Sequence, residues 1–428
     1  MTDPLRLGIA GLGTVGVGVV KIVQRQANLL SQRCGRPVEI VAVSARSRDK
    51  DRGVTLSHFA WEDDPVALAR RPDVDVFVEL MGGTDGPAKA ATEAAIAAGK
   101  DVVTANKAML AIHGQALAEA AEAKGLVLRF EAAVAGGIPV IKALTEGLAG
   151  NAIDRVMGVM NGTCNYILTR MDSAGLTYAE AFAEADGLGY LEADPELDVG
   201  GIDAAHKLTL LAAIAYGSRV NFDAIALEGI GAITIEDIRR AGDMGYKIKL
   251  LGVAQMTGRG LEQRMSPCLV PATSPLGQLE GGTNMVVIEG DSVGQIVLRG
   301  AGAGEGPTAS AVMSDICDIA RGIRVPTFGR PATSLDDAPP ASAASPACYY
   351  LRMDLADKPG ALAKVATVLG EAGISIDRMR QYDHPGAHAP VLIVTHKTAR
   401  PNLDTALAAL PRTGVVMDAP VALRIEEV

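Results

Sequence analysis

The chain opens with an apolar run, Leu5–Ala10, closed by a glycine-rich turn, after which apolar residues recur at helical spacing through 14–32. The alternation then repeats. Apolar runs at Val38–Ser44, 74–80, 102–104 and 126–130 predict further strands, and the stretches 87–98 and 114–123 predict helices among them. Strands alternating with helices over residues 1–145 predict an α/β domain of the Rossmann kind, a doubly wound parallel sheet.

From about Asn151 the pattern changes. Helical spacing dominates 163–173, 177–186 and 201–215, and antiparallel-looking strands follow at 247–254, 284–289 and 294–298. This predicts an α+β second domain over 146–305. A glycine-rich turn then leads into a helix, 306–324, placed to return to the first domain. Residues 326–347 are rich in Pro, Ala and Ser, a composition that cannot bury a core and predicts a linker. Beyond it, strands at 349–355, 374–381, 390–396 and 422–425 and helices at 360–372 and 403–410 run in the order βαββαβ. That order predicts a small ferredoxin-like module over 348–428.

Composition narrows the function class. At 428 residues the chain exceeds one ordinary domain, and 48% apolar residues are ample for large cores. A net charge of −10 leaves no basic surplus to neutralise phosphates, which argues against a nucleic-acid partner. The first strand follows Met1 without the basic start and cleavage site of a signal peptide, and no apolar run reaches membrane-spanning length. Cys34, Cys164, Cys268, Cys317 and Cys348 are scattered, odd in number and without zinc spacing. A cytoplasmic protein with neither a membrane nor a nucleic acid as partner is expected.

The turn after the first strand carries chemistry. In Gly11-Leu12-Gly13-Thr14-Val15-Gly16 the first glycine permits the tight turn, the second lets backbone amides approach a pyrophosphate, and the third allows close helix–strand packing. The following helix N-terminus supplies partial positive charge to the phosphates. At the end of the second strand an NAD site usually places an acidic residue on the ribose 2′-hydroxyl. Here stands Ser44-Ala45-Arg46-Ser47-Arg48-Asp49-Lys50. Arg46, with Arg48 or Lys50, suits a 2′-phosphate, although any one of them also reads as part of a solvated basic loop. NADP is the expected cofactor, with NAD as the alternative.

Four polar patches lie where a packed fold does not need them: Met81-Gly82-Gly83-Thr84, Thr104-Ala105-Asn106-Lys107, Asn161 to Tyr166, and Asp186 to Lys207. The first two sit at strand carboxyl ends, where ligands of such sheets bind. Asp203 and Lys207 are four apart and share one helix face. They read equally as a surface ion pair or as a partly buried lysine able to deliver a proton. His206 is a lone histidine beside the better candidate.

Taken in order, Gly11 to Gly16, Val78 to Gly83, Asn106-Lys107, Glu131 to Pro139, Asn161 to Leu168, Gly187 to Lys207 and Gly302-Ala303-Gly304 with Pro307 to Ser310 resemble bacterial homoserine dehydrogenase over nearly the whole chain. The resemblance implies reversible NAD(P)H-dependent reduction of L-aspartate 4-semialdehyde to L-homoserine. Lys207 would donate the proton, Lys107 would assist by its charge, and Glu192 and Asp203 would hold the substrate amino group with Asp198 nearby. Gly11 to Gly16, Arg46, Gly83, Thr84, Lys107, Gly189, Gly302 and Gly304 would contact the cofactor. Main-chain carbonyls of Glu131, Val134, Gly136 and Ile138 would hold a structural sodium ion, although from sequence the segment is simply a Gly-Gly turn before a helix. The second domain would also carry a homodimer contact.

The terminal module, with Asp357-Lys358-Pro359-Gly360-Ala361-Leu362, looks like an ACT domain. By analogy it would bind an amino-acid effector, threonine first, or serve assembly alone, with a homotetramer as one outcome. Two rivals remain. Aspartate-semialdehyde dehydrogenase needs a nucleophilic cysteine and a histidine base, and Cys164 has no histidine nearby in sequence. A non-catalytic NADP-sensing regulator would use the same modules but would not require Lys107, Glu192, Asp203 and Lys207 together.

Overall fold

The computed structural model describes residues 3–191, 194–382, 386 and 388–428. Its first part runs β1 (Leu5–Ala10), α1 (Thr14–Cys34), β2 (Val38–Ser44), β3 (Ala60–Glu62), α2 (Pro65–Arg70), β4 (Val76–Glu79), α3 (Pro87–Ala97), β5 (Asp101–Thr104), α4 (Lys107–Glu122) and β6 (Leu128–Arg129). All six strands are parallel, in the order β3-β2-β1-β4-β5-β6. The chain leaves β1 in one direction through β2 and returns on its other side through β4. A crevice therefore opens at the strand carboxyl ends, where such sheets bind ligands.

Next come α5 (Val140–Lys142), β7 (Ile153–Val159), α6 (Gly162–Ala174), α7 (Tyr178–Gly187), α8 (Glu196–Val199), α9 (Ile202–Tyr216), β8 (Ala226–Leu227), α10 (Ile235–Asp243), β9 (Tyr246–Thr257), β10 (Gly260–Pro271), β11 (Thr283–Gly290) and β12 (Gly294–Ala301). β7 and β9 to β12 form an antiparallel sheet, which α9 crosses. Leu208, Leu210 and Leu211 of α9 are fully buried, each contributing about 1.5–3 kcal/mol by leaving water. This anchored helix carries Asp203 and Lys207.

Helix α11 (Glu305–Ala320) then packs back along α1. The two approach so closely that a methyl group on Gly18 would meet the Glu305 carbonyl and the Ala309 side chain. The Pro-rich stretch after it is exposed or half-buried over most of its length but is tethered at a few buried points. Phe328 is 1% exposed and meets Phe130 edge-on at 5.7 Å, while Leu261 exchanges backbone hydrogen bonds with Pro339 and Ala341. One aromatic anchor and edge pairing hold it despite the proline content.

The last module is β13 (Cys348–Ala356), α12 (Ala361–Glu371), β14 (Ile376–Gln381), β15 (His388–Thr395), α13 (Arg400–Ala409) and β16 (Val421–Ile425), with strand order β16-β13-β15-β14. β16 also pairs in parallel with β10 at Cys268 and Leu269, so one ten-stranded sheet runs through both parts. Arg264 on β10 donates to Glu426, and Arg352 on β13 donates to buried Asp237 on α10 at 2.6 Å.

Candidate active site

The crevice floor is the turn between β1 and α1. Gly11 has φ +100°, and a side chain there would overlap the Leu80 carbonyl; one at Gly16 would overlap the Gly11 carbonyl. Gly13 differs, because no atom lies within 4 Å of its Cβ position. Its missing side chain therefore opens space instead of relieving a clash. Gly13 caps α1 without a side-chain hydrogen bond and the first turn holds no acidic residue, so its N–H groups and the helix dipole suit an anion. Thr14 is exposed beside Gly13, whereas Leu12 and Val15 pack into the core below.

Arg46 stands exposed just past β2. The loop that carries it is folded by Arg52, which donates from Nη2 to Ser47 O at 2.5 Å, from Nη1 to Lys50 O at 2.8 Å and from Nε to Leu12 O at 3.2 Å. Arg52 was not among the residues expected from sequence. Its role depends on which carbonyls the fold brings together.

The opposite wall rests on Glu79, fully buried at the end of β4. One carboxylate oxygen accepts from the Met81 and Gly82 amides at 2.7 and 3.1 Å, the other from the Thr104 hydroxyl at 2.6 Å. Thr104 in turn accepts from the Asn106 amide, and the Asn106 side chain donates to Gly83 O at 2.7 Å while capping α4 through the Met109 amide. Gly83 and Thr84 are thus braced against the start of α4, where Lys107 is the first helical residue. Sequence reading singled out the ends of this network and missed Glu79 at its centre.

Asp203 joins the two parts of the chain. Its Oδ1 pairs with Lys107 at 2.9 Å and its Oδ2 with Lys207 at 2.6 Å. Burial pushes its carboxyl up, but Lys207 and Lys107 outweigh burial and hold it well below the usual carboxylate range. Lys207 also donates to Met160 O at 2.8 Å. Of its three N–H donors two are engaged among the described residues, which leaves one for a substrate oxygen. Asn161, capping α6, donates to Asp198 at 2.8 Å and to Asp203 at 3.2 Å, so Asp198 belongs to the same cluster. Glu192 lies outside the described residues.

Two glycine-bearing loops are expected at the site. Gly189 (φ +73°) turns the chain after α7, and Thr163 donates to Tyr190 O at 2.9 Å, with Tyr190 stacked on Tyr166. Gly302 packs so tightly on Asn284 that a side chain would overlap it. Asn284 donates to Met160 O at 3.0 Å, the carbonyl Lys207 also uses, so Asn284 and Met160 link the loop of Gly302 and Gly304 to the lysine. Asn284 is a third residue, after Arg52 and Glu79, that the sequence did not flag. Gly302 also touches the loop of Glu131, Val134, Gly136 and Ile138, which lies outside regular helix or strand after a single 3-10 turn.

Cys164 is buried and its thiol is pushed well up, by burial first and by Asp198 and Asp203 next; it donates to Asp198 O at 3.2 Å. That environment withholds the thiolate a thioester mechanism needs. His206 packs against Phe222 with ring centroids 4.5 Å apart and tilted by 33°, and burial lowers its pKa.

A dinucleotide turn in one domain and two lysines sharing a buried carboxylate at its junction with the next, with an ACT module joined to the sheet of that second domain, define a nicotinamide-dependent oxidoreductase with an appended regulatory-type domain. Three family models match: "Homoserine dehydrogenase, NAD binding domain" over residues 11–131, "Homoserine dehydrogenase" over 139–317 and "ACT domain" over 349–411. The chain is 43% identical to a homoserine dehydrogenase of Pseudomonas aeruginosa, with 99% of each chain covered. The crystal structure of a homoserine dehydrogenase from Thiobacillus denitrificans superposes with a TM-score of 0.93 at 40% identity, covering 99% of both chains. A hyperthermophilic archaeal homoserine dehydrogenase in complex with NADPH superposes with a TM-score of 0.62 at 26% identity, covering 74% of this chain and 97% of that one. The chain belongs to the homoserine dehydrogenase family. Its activity is that of a homoserine dehydrogenase, which sets aside the non-catalytic sensor.

Proposed function

We propose that Lys207 is the proton donor and acceptor of the reaction, that Lys107 stabilises the developing charge, and that Asp198, Asp203 and Glu192 receive the substrate ammonium group. The observation that carries this is the single carboxylate of Asp203 shared by two lysines from different parts of the fold. NADPH, when bound, supplies the hydride. As hydride reaches the aldehyde carbon of L-aspartate 4-semialdehyde, the C=O electron pair moves onto oxygen. The remaining N–H of Lys207 meets that oxygen and passes it a proton, giving the alcohol of L-homoserine. The Asp203 carboxylate balances the ammonium charges without taking the proton, since it stays ionised.

NADP is the preferred cofactor, supported by Arg46 past β2 and by the lack of an acidic residue at Ala45. A structural sodium ion, if bound, would be held by the main-chain oxygens of Glu131, Val134, Gly136 and Ile138. These residues form one buried irregular turn, with Gly136 at φ +56°, and an ion there would fix its contact with Gly302. The ACT module takes a small amino acid, threonine first, and the assembly is a homodimer or homotetramer in the cytoplasm.

Homoserine oxidation followed with NAD and NADP in parallel, with and without threonine, tests the cofactor and effector assignments. In Lys207→Ala turnover falls about 10²–10⁴-fold while cofactor affinity is retained. Turnover that survives the substitution removes Lys207 from its role.

A further inference from the structure

We propose that Arg52 is a positioning residue that sets the cofactor preference, by holding Arg46 and Arg48 as a preformed socket for a phosphate monoester on the adenosine ribose. This rests on the NADP reading above and names the group that builds the site. The three carbonyls that Arg52 engages come from two segments: Leu12 from the glycine turn, and Ser47 and Lys50 from the loop after β2. The guanidinium reaches these carbonyls from three separate nitrogens in fixed directions, whereas the three donors of an ammonium all leave one atom and cannot span the same spread. Beside the backbone bond from the Gly11 amide to Ser44 O at 2.9 Å, this one side chain ties the basic loop to the phosphate-binding turn.

Two further observations support the socket. Arg52 forms no ion pair among the described residues, so its charge adds to those of Arg46 and Arg48 instead of being cancelled by a carboxylate. The one tryptophan of the chain, Trp61, stands on β3 opposite Val43 of β2, with the guanidinium carbons of Arg48 and Arg52 each 5.8 Å from its ring centroid. The indole N–H is held by Asp63 at 2.8 Å, which fixes the ring as a wall for both arginines. Of the acidic residues in the loop, Asp51 is occupied by the Gly53 amide at 2.9 Å and Asp49 is exposed. Net positive charge faces the place where an NAD site would put a carboxylate.

Because Trp61 is unique, its fluorescence reads the site directly. Wild-type protein is titrated with adenosine 2′,5′-bisphosphate and with adenosine 5′-monophosphate, and the same is done for Arg52→Lys and Arg52→Gln. The wild type is expected to bind the bisphosphate about tenfold or more tightly than the monophosphate. Arg52→Lys keeps the charge but loses most of that preference, and Arg52→Gln loses it altogether. In turnover, KM for NADP rises about tenfold in Arg52→Lys, and KM for NAD changes by less than about threefold. A wild type indifferent to the 2′-phosphate sinks the NADP reading and this proposal together. A wild-type preference that persists in both variants sinks the proposal alone, as does an equal loss for both nucleotides, since that is damage to the glycine turn. Melting curves check folding. Should the Arg52 variants not fold, exposed Arg48→Gln carries the test, and an unchanged bisphosphate preference there overturns the socket.

Discussion

Asp203 receives ammonium groups from α4 of the dinucleotide domain and from its own helix, so its carboxylate closes the site across two parts of the chain. Spacing along the sequence showed that Asp203 and Lys207 share a face; it could not show that Lys107 would arrive on the other oxygen. Nor could it choose between a surface ion pair and a buried one. Burial of both residues decides that, at 7% and 8% exposure. A second buried lysine shows what burial does without a carboxylate in contact. Lys249 on β9 donates to Asn165 at 2.9 Å and to Leu279 O, and burial, reinforced by Lys247 and only partly opposed by Asp172 and Glu280, lowers its pKa to about 8. Below pH 8 the charged amine is present in both folded and unfolded chains and the burial cost is fully felt. Between about 8 and 10.5 the unfolded chain binds the proton and the folded one does not, so stability rises with pH. The gain is on the order of 3 kcal/mol across that window. Lys249→Met should remove it. Melting temperatures at pH 8 and 10 check this: the wild type gains several degrees relative to the variant, and parallel pH profiles for the two would contradict the assignment.

At the scale of elements, the strands read best from sequence were the short buried ones of the parallel sheet; β1 and β2 match residue for residue. β7 and β10 were not read, for a physical reason. β7 has Asp154 and Arg155 directly after its first residue, and β10 carries Glu262, Gln263 and Arg264, all three buried. These polar residues are accommodated by partners far away in sequence: Arg155 by Glu289 and Arg264 by Glu426. A local pattern cannot register partners more than a hundred residues off. β3 and α2 escaped because they are only three and six residues long. The glycine turn, in contrast, was legible in full, and its three glycines now separate by role. Gly16→Ala should destabilise the domain, because its methyl meets the Gly11 carbonyl in a place that cannot yield without moving the turn. Gly13→Ala should fold with a near-native melting temperature, since nothing lies within 4 Å, yet raise KM for NAD and NADP alike by crowding the pyrophosphate. Steady-state kinetics beside thermal denaturation tests the contrast. A Gly13→Ala protein with unchanged KM for both cofactors would mean that the phosphates do not approach this turn.

Across the whole molecule, sequence reading gave the order of modules but treated the last as a unit on a linker. The pairing of β16 with β10 makes it part of the catalytic sheet instead. Tyr350, Leu392, Val394, Leu423 and Ile425 share one hydrophobic cluster with Ile248, Leu250 and Leu269, so one face of the ACT sheet covers the core of the second domain. Two buried carboxylates fasten the seam: Asp237 to Arg352 on one side and Glu426 to Arg264 on the other. Removing one partner of such a pair costs about 3–5 kcal/mol, because the other is left charged in a dry place. A chain ended after Pro346 loses Arg352 and Glu426 together, bares Leu269 and uncovers the edge of β10 at Cys268 and Leu269. Exposed apolar surface beside an unpaired strand edge favours association. The truncated chain is therefore expected to aggregate, or to melt well below the full chain, and to lose homoserine oxidation as β10 loosens where Met265 packs on Gly201 at the start of the helix of Asp203. An unaggregated, fully active truncated protein in size-exclusion chromatography and turnover would show that the ACT module only rests on the enzyme. Restoring solubility with a substitution confined to the bared edge, such as Leu269→Lys, would locate the fault at that strand.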